Sequence, residues 1–230
     1  MDEHLPSIIA IDGPAASGKS TVGVLLAKRL GYLYFDTGIM YRAVTWAALR
    51  QLNAVDDEPS VTKLAEEAQI DVQPPSKPDG RLADVLLDGT DITWEIRSHE
   101  VEASVSQVSA YPGVRMAMTA QQRRIGKRGR IVMVGRDIGT VVFPEAELKV
   151  YLDACVEIRA KRRFEELRQR GEHADYEKIL AAMKRRDKID TTREVAPLRA
   201  AEDAYRICSD DINAEQVVDQ VLELARIRRR

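Results

Sequence analysis

The sequence predicts an α/β fold, a parallel sheet with helices on both faces. Two observations carry this expectation. Apolar runs of strand length alternate with segments whose apolar residues recur every three or four positions. The first of these runs is followed by a glycine-containing loop and then by an amphipathic stretch, the strand–loop–helix order of a βα unit.

Residues 7–12 (SIIAID) form a short apolar run stopped by Gly13-Pro14, which predicts a buried strand. Val22, Leu25, Leu26 and Leu30 then recur at helical spacing, and Gly31 ends that helix. Residues 32–35, 130–134 and 148–152 predict three further strands, and 204–208 the last. Val217, Val218, Val221, Leu222 and Ala225 give a closing amphipathic helix, with Asn213 and Gln216 as its cap. Two excursions interrupt the alternation, a long one over 37–107 and an arginine-rich helical pair over 156–193. In the first, the turn-rich stretch 73–81 before the apolar run 82–87 predicts a small hairpin unit rather than a flexible linker. No internal repeat or low-complexity tract is found.

Composition narrows the function classes. The chain has 230 residues, 44% of them apolar, enough for one large domain with subdomains. Its 35 basic and 37 acidic residues leave a formal charge of −2, against the strong positive field that nucleic-acid binding uses, so no nucleic-acid partner is expected. The opening Met1-Asp2-Glu3-His4 carries acid where a secretory signal carries Lys or Arg, and the apolar runs are too short to span a bilayer. A cytoplasmic protein without a membrane partner is therefore expected. Cys155 and Cys208 match neither a disulfide framework nor a CxxC metal site and are expected to be buried, inert thiols. His4, His99 and His173 are scattered and read as surface residues. The closing Arg226, Arg228, Arg229 and Arg230 read as a solvated helix end.

Gly13, Pro14, Ala15, Ala16, Ser17, Gly18, Lys19 and Ser20 satisfy G-x-x-x-x-G-K-[ST] in full, with Thr21 next in the helix. The glycines let backbone N–H groups turn toward phosphate oxygens with no Cβ in the way. The following helix points its positive end at the same anion. Lys19 adds a cation at the β- and γ-phosphates, and the Ser20 hydroxyl is a ligand for Mg²⁺. A chance match is improbable when strand and amphipathic helix flank the loop as the chemistry requires.

The arginines indicate what is done with the nucleotide. Arg159, Arg162 and Arg163 fall at i, i+3 and i+4, with Val156, Ala160, Phe164 and Leu167 marking the buried side of the same helix. Arg185, Arg186 and Arg193 follow a helix with Tyr176, Ile179, Leu180 and Met183 on one face. Like charges at this spacing repel by a few tenths of about one kcal/mol, and each set alone would pass for a solvated face. Two sets flanking a lid-length segment suggest a clamp for a transferring phosphate. No Ser-His-Asp set, histidine pair or obvious general base accompanies the loop. A phosphate monoester, with its second pKa near about 6, is already a nucleophile at neutral pH and needs no base. The chemistry therefore favours a nucleoside monophosphate as acceptor.

Several segments together resemble one family. Residues 11–14 (IDGP) enter the loop, and 35–42 (FDTGIMYR) follow the second strand. Glu95-Ile96-Arg97 leads to Ser106-Gln107-Val108 and on to Arg115, and 135–144 (GRDIGTVVFP) follow the third strand. Arg186-Asp187 leads to Asp190, Arg193 and 195–198 (VAPL). In this order and spacing the chain resembles the bacterial cytidylate kinases over nearly its whole length. The resemblance implies a three-layer, adenylate-kinase-like P-loop NTPase fold with a five-stranded parallel sheet. It implies a core over about 1–36, 108–155 and 194–230, a monophosphate-binding subdomain with an insert over 37–107, and a lid over 156–193. It implies transfer of a phosphoryl group from ATP to CMP or dCMP with Mg²⁺, in pyrimidine metabolism and salvage; a monomer fits a fold that must open and close. Carried over position by position, Arg42, Arg136 and Arg186 hold the acceptor phosphate. Ser106, Arg115, Asp137 and Arg193 read cytosine, and Asp190, helped by Arg186, holds the ribose. Thr37 stands where a Ser also occurs in the family. Arg159, Arg162 and Arg163 belong to the lid and meet the ATP phosphates on closure. Another small P-loop kinase, acting on AMP, UMP or shikimate, and a non-catalytic ATP-binding switch or RNA-binding protein are the rival readings.

Overall fold

The computed structural model describes residues 5–227. Five parallel strands form its centre: β1 (Ile8–Asp12), β2 (Leu33–Asp36), β6 (Ile131–Gly135), β7 (Leu148–Asp153) and β8 (Tyr205–Cys208). Their order is β2-β6-β1-β7-β8, so the first strand lies in the middle. Side chains alternate between the two faces, as the period of two requires. Ile9, Ile11, Val132 and Val134 enter a core beneath α1 (Lys19–Leu30) and α8 (Ala214–Ile227). Ala10, Ile131 and Met133 enter a second core on the other face.

That second core is covered by α2 (Gly38–Gln51), α3 (Glu58–Glu67), α4 (His99–Val108) and α5 (Pro112–Gly126). Between α3 and α4 stands a small antiparallel sheet of β3 (Ile70–Gln73), β4 (Asp84–Leu87) and β5 (Thr90–Asp91). Its turn-rich connection is ordered by Arg81, whose buried guanidinium bonds Asp79, Asp84 and Asp91, each at 2.8 Å. Finally α6 (Val156–Gln169) and α7 (Tyr176–Thr192) form a helical pair, with Phe164 and Tyr176 in edge contact at 6.2 Å.

Local signals explain the element ends. Gly31 adopts φ 65° after α1, and its N–H returns to the Ala27 and Lys28 carbonyls. The backbone N–H of Asn213 donates to the Gln216 side chain at 2.9 Å, and Gln216 N–H donates to Asn213 Oδ1 at 3.0 Å, a reciprocal cap. His99 and His173 are exposed, and so is Arg226; His4, Arg228, Arg229 and Arg230 lie outside the described residues. The cysteine expectation is corrected: both Cys155 and Cys208 are exposed. They follow or close the C-terminal ends of β7 and β8, where helical cover stops. The Cys155 thiol donates to Asp210 Oδ2 at 2.9 Å, which raises its pKa. No helix among the described residues is long and apolar enough to cross a membrane.

Candidate active site

Parallel strands deliver all their C-terminal ends to one edge of the sheet, and the candidate residues gather there. The phosphate loop leaves β1. Gly13 has φ 150°, and a Cβ there would lie 2.0 Å from the Leu152 carbonyl oxygen, so only glycine fits. Gly18 has φ 93° and leads into α1. Residues after β8 and on α6 brace the loop. Ser209 Oγ, after β8, donates to the Ser17 carbonyl at 3.1 Å, and Arg159 Nη1 donates to the Ala15 carbonyl at 3.1 Å. Lys19 Nζ lies within the loop, donating to the Pro14 carbonyl at 2.5 Å. Burial first, and then Arg136, push the Lys19 pKa well below its ordinary value, while Asp36 and Asp12 partly oppose this.

Two carboxylates border the loop. Asp12 Oδ1 and Oδ2 accept the Ile138 and Gly139 N–H groups at 2.8 and 2.7 Å, fixing the π-helical turn Ile138–Val142 after β6. Burial raises its pKa to about 6 despite these bonds. Asp36, ending β2, accepts the Gly38 N–H at 2.9 Å and faces the Ser20 hydroxyl at 3.5 Å. Ser20 and Thr21 are exposed at the start of α1. A hydroxyl and a carboxylate side by side suit a hard cation that keeps several of its waters, as Mg²⁺ does.

The three arginines of α6 do not converge on one point. Arg159 is buried, donating to the Ala154 carbonyl at 2.8 Å and engaging Asp187 of α7 at 2.5 and 3.2 Å. Arg162 holds the Ser209 hydroxyl at 3.1 Å and the Ser209 carbonyl. Arg163 pairs with Glu166 at 2.9 Å. Val156, Phe164 and Leu167 are only partly buried, and of the expected apolar side Ala160 alone is fully covered.

The remaining candidates meet across the mouth of β6. Arg136 Nε donates to Asp190 Oδ2 at 3.0 Å, and Arg193 Nη1 reaches Asp190 Oδ1 at 3.5 Å. Burial would raise the Asp190 pKa, but Arg136 and Arg186 outweigh it and hold it low. Burial and then Arg136 lower the pKa of Arg186. Arg115 is 2% exposed; its Nη2 donates to Asp137 Oδ2 at 2.6 Å and its Nη1 to the Ser109 carbonyl at 3.0 Å. The Arg115 guanidinium also lies over the Tyr41 ring, 5.3 Å from its centre, and burial raises the Tyr41 pKa to about 12. Arg193 Nη2 stands 4.0 Å from Asp137 Oδ1, and both this atom and Arg115 Nε are buried without a hydrogen-bond partner. Thr37 Oγ1 donates to the Val134 carbonyl at 3.0 Å, and Arg42 pairs with Glu102 of α4. Ser106 is partly buried on the same helix.

The sequence reading did not assign roles to Asp12, Asp36, Tyr41, Glu102, Asp187 or Ser209. Asp12, Asp36, Tyr41 and Asp187 stood inside the quoted motifs. The pairing of Glu102 with Arg42 had no local signal.

A five-stranded parallel sheet with a Gly-Lys-Ser loop on its central strand, facing clustered arginines, defines a P-loop phosphotransferase. The family model for cytidylate kinase matches residues 9–227, and the chain belongs to that family. It is 52% identical over 223 residues to a cytidylate kinase of Roseiflexus castenholzii, covering 96% of this chain and 94% of that protein. A cytidylate kinase of a Geobacillus species is 50% identical over 220 residues, covering 96% of each. The fold is shared with an uncharacterized protein of Eubacterium ventriosum at a TM-score of 0.51 and 13% identity, covering 95% and 97% of the two chains.

Proposed function

We propose that this kinase transfers the γ-phosphoryl group of ATP to the phosphate of CMP or dCMP. The observation that carries the reading is the buried Arg115–Asp137 pair with Arg193 beside it, two cations and one carboxylate suited to one base edge. Cytosine offers O2 and N3 as acceptors and one amino donor. The free Arg115 Nε and Arg193 Nη2 supply donors, and Asp137 retains lone pairs for the amine. Ser106 completes the base set. Asp190, kept ionised by its arginines, accepts from the ribose, and Thr37 lies at the entrance to α2 beside this site.

Arg42, Arg136 and Arg186 bind the acceptor phosphate. At pH 7 a monoester with a second pKa near about 6 is mostly dianionic, so an oxygen attacks without a general base. The loop residues 13–21 hold the donor phosphates through backbone N–H groups, and Lys19 neutralises charge on the transferring group. The depressed Lys19 pKa fits a cation awaiting an anionic partner. Ser20, with Asp36 behind it, is the residue pair for Mg²⁺, which when bound neutralises the donor's charge. Arg159 braces the loop and ties α6 to α7, whereas Arg162 and Arg163 exchange their partners Ser209 and Glu166 for the donor phosphates as the helical pair closes. Function in the cytoplasm as a monomer is part of the same proposal.

The test is base selectivity. Uracil presents a carbonyl where cytosine has its amine, leaving Asp137 facing an acceptor, which costs about 1–3 kcal/mol, or roughly 5- to 150-fold in kcat/KM. CMP and dCMP are expected to be good acceptors and UMP a poor one. Equal kcat/KM for UMP and CMP refutes the base assignment.

A further inference from the structure

Glu102 stands among the arginines assigned to the acceptor phosphate, yet the reaction proposed above makes no use of it. It lies on α4 one turn before Ser106, on the same helix face. Its carboxylate is ion-paired with the Arg42 guanidinium of α2. Otherwise Arg42 makes only a 3.4 Å contact with the Ile96 carbonyl among the described residues. Partial burial would raise the Glu102 pKa, but Arg42, then Arg186 and Arg163, outweigh it and hold the group ionised. Conversely, Asp190 and Glu102 are the anions that support the charge of half-buried Arg186. Cations from α2, α6 and α7 therefore act on one carboxylate. An anion drawing guanidiniums from three elements occupies the electrostatic position of a phosphate.

We propose that Glu102 is an internal anion that competes with the acceptor phosphate for Arg42 and thereby sets the affinity for the nucleoside monophosphate. This rests on the reading of Arg42 as a ligand of that phosphate. A phosphate dianion carries more charge and more acceptor oxygens than a carboxylate, so it takes Arg42 from Glu102, at the cost of breaking the existing pair. Glu102 then swings toward solvent, which its half-exposed side chain permits. Its negative charge also disfavours a second anion nearby. Both effects raise KM for the acceptor and leave the donor site alone. If the pair were only a tie between α2 and α4, its loss would lower thermal stability and leave acceptor affinity unchanged or weaker.

Steady-state kinetics of Glu102→Gln, Glu102→Ala, Arg42→Met and the Arg42→Met/Glu102→Gln double variant test this, with KM for CMP and ATP measured separately. Glu102→Gln is expected to lower KM for CMP about two- to fivefold, the range of a partly exposed ion pair. KM for ATP stays unchanged. Glu102→Ala moves in the same direction, which excludes a new bond from the Gln amide as the cause. Arg42→Met raises KM for CMP about tenfold, and adding Glu102→Gln to it brings no further change. Titration with cytidine, which lacks the phosphate, gives the same affinity for wild type and Glu102→Gln. An unchanged or raised KM for CMP in both Glu102 variants, with Arg42→Met still impaired, overturns the competition and leaves the acceptor-site reading standing. A normal KM for CMP in Arg42→Met removes the acceptor-site reading and the competition with it.

Discussion

Replacing Arg115 by Met tests stability and recognition at one residue. The Arg115 side chain is 2% exposed and pairs with Asp137, itself 4% exposed, at 2.6 Å. Met keeps the apolar stem over Tyr41 but removes every donor. The nearest cation left to Asp137 is Arg193, at 4.0 Å. Stranding one partner of a buried pair costs about 3–5 kcal/mol, and the residual attraction of Arg193 favours the lower end, about 3 kcal/mol. In a chain of this size each kcal/mol lowers Tm by about 2–4 °C, so a fall of roughly 6–12 °C follows. Scanning calorimetry reads it. The Arg115→Met/Asp137→Asn double variant should recover part of the loss, because no charge is then stranded. Calorimetric titration at a temperature where the variant is fully folded should show CMP affinity down about ten- to a hundredfold and ATP affinity unchanged. A Tm indistinguishable from wild type refutes the buried-pair argument, and equal loss for both nucleotides refutes the site assignment.

Lys19→Ala should fold normally and lose at least about a hundredfold in kcat, the scale of removing one donor from a developing charge; near-normal turnover with CMP contradicts this. Asp12 supplies a pH signature of stability. Its folded pKa is raised from 3.8 to about 6, so the stabilisation from its protonated form is complete below about pH 4 and lost as pH rises through 6. Relative to Asp12→Asn, wild-type stability should therefore fall between pH 4 and pH 7 by up to roughly 3 kcal/mol, measured by parallel urea melts. A flat or rising difference over that window refutes the assignment.

The strands, the loop and the closing helix were legible because their signals are local. Gly18-Lys19-Ser20 sits where a strand must hand over to a helix, and the Asn213–Gln216 cap spans three residues. What sequence could not show depends on register and distant partners. Cys208 reads as part of an apolar run, but it is opposite Asp153 at the last rung of the sheet, where cover ends. Arg159, Arg162 and Arg163 share a helix face, yet Arg159 alone is buried, because Ala15 and Asp187 lie 144 and 28 residues away in the chain. Arg42 and Glu102 are separated by 60 residues, and their pairing follows only from the packing of α2 on α4. Arg186 and Asp190 stand four residues apart on α7, yet the direct partners of Asp190 are Arg136 and Arg193.

In the proposed reaction a phosphate, and not a hydroxyl or water, accepts the phosphoryl group. Phosphorus NMR of the purified protein with ATP, Mg²⁺ and CMP observes the new bond directly. The ATP γ-resonance and the CMP monoester resonance should decline together, while the coupled α- and β-resonances of CDP and ADP grow. Inorganic phosphate as the main product, or ATP consumption with the CMP resonance unchanged, would contradict it.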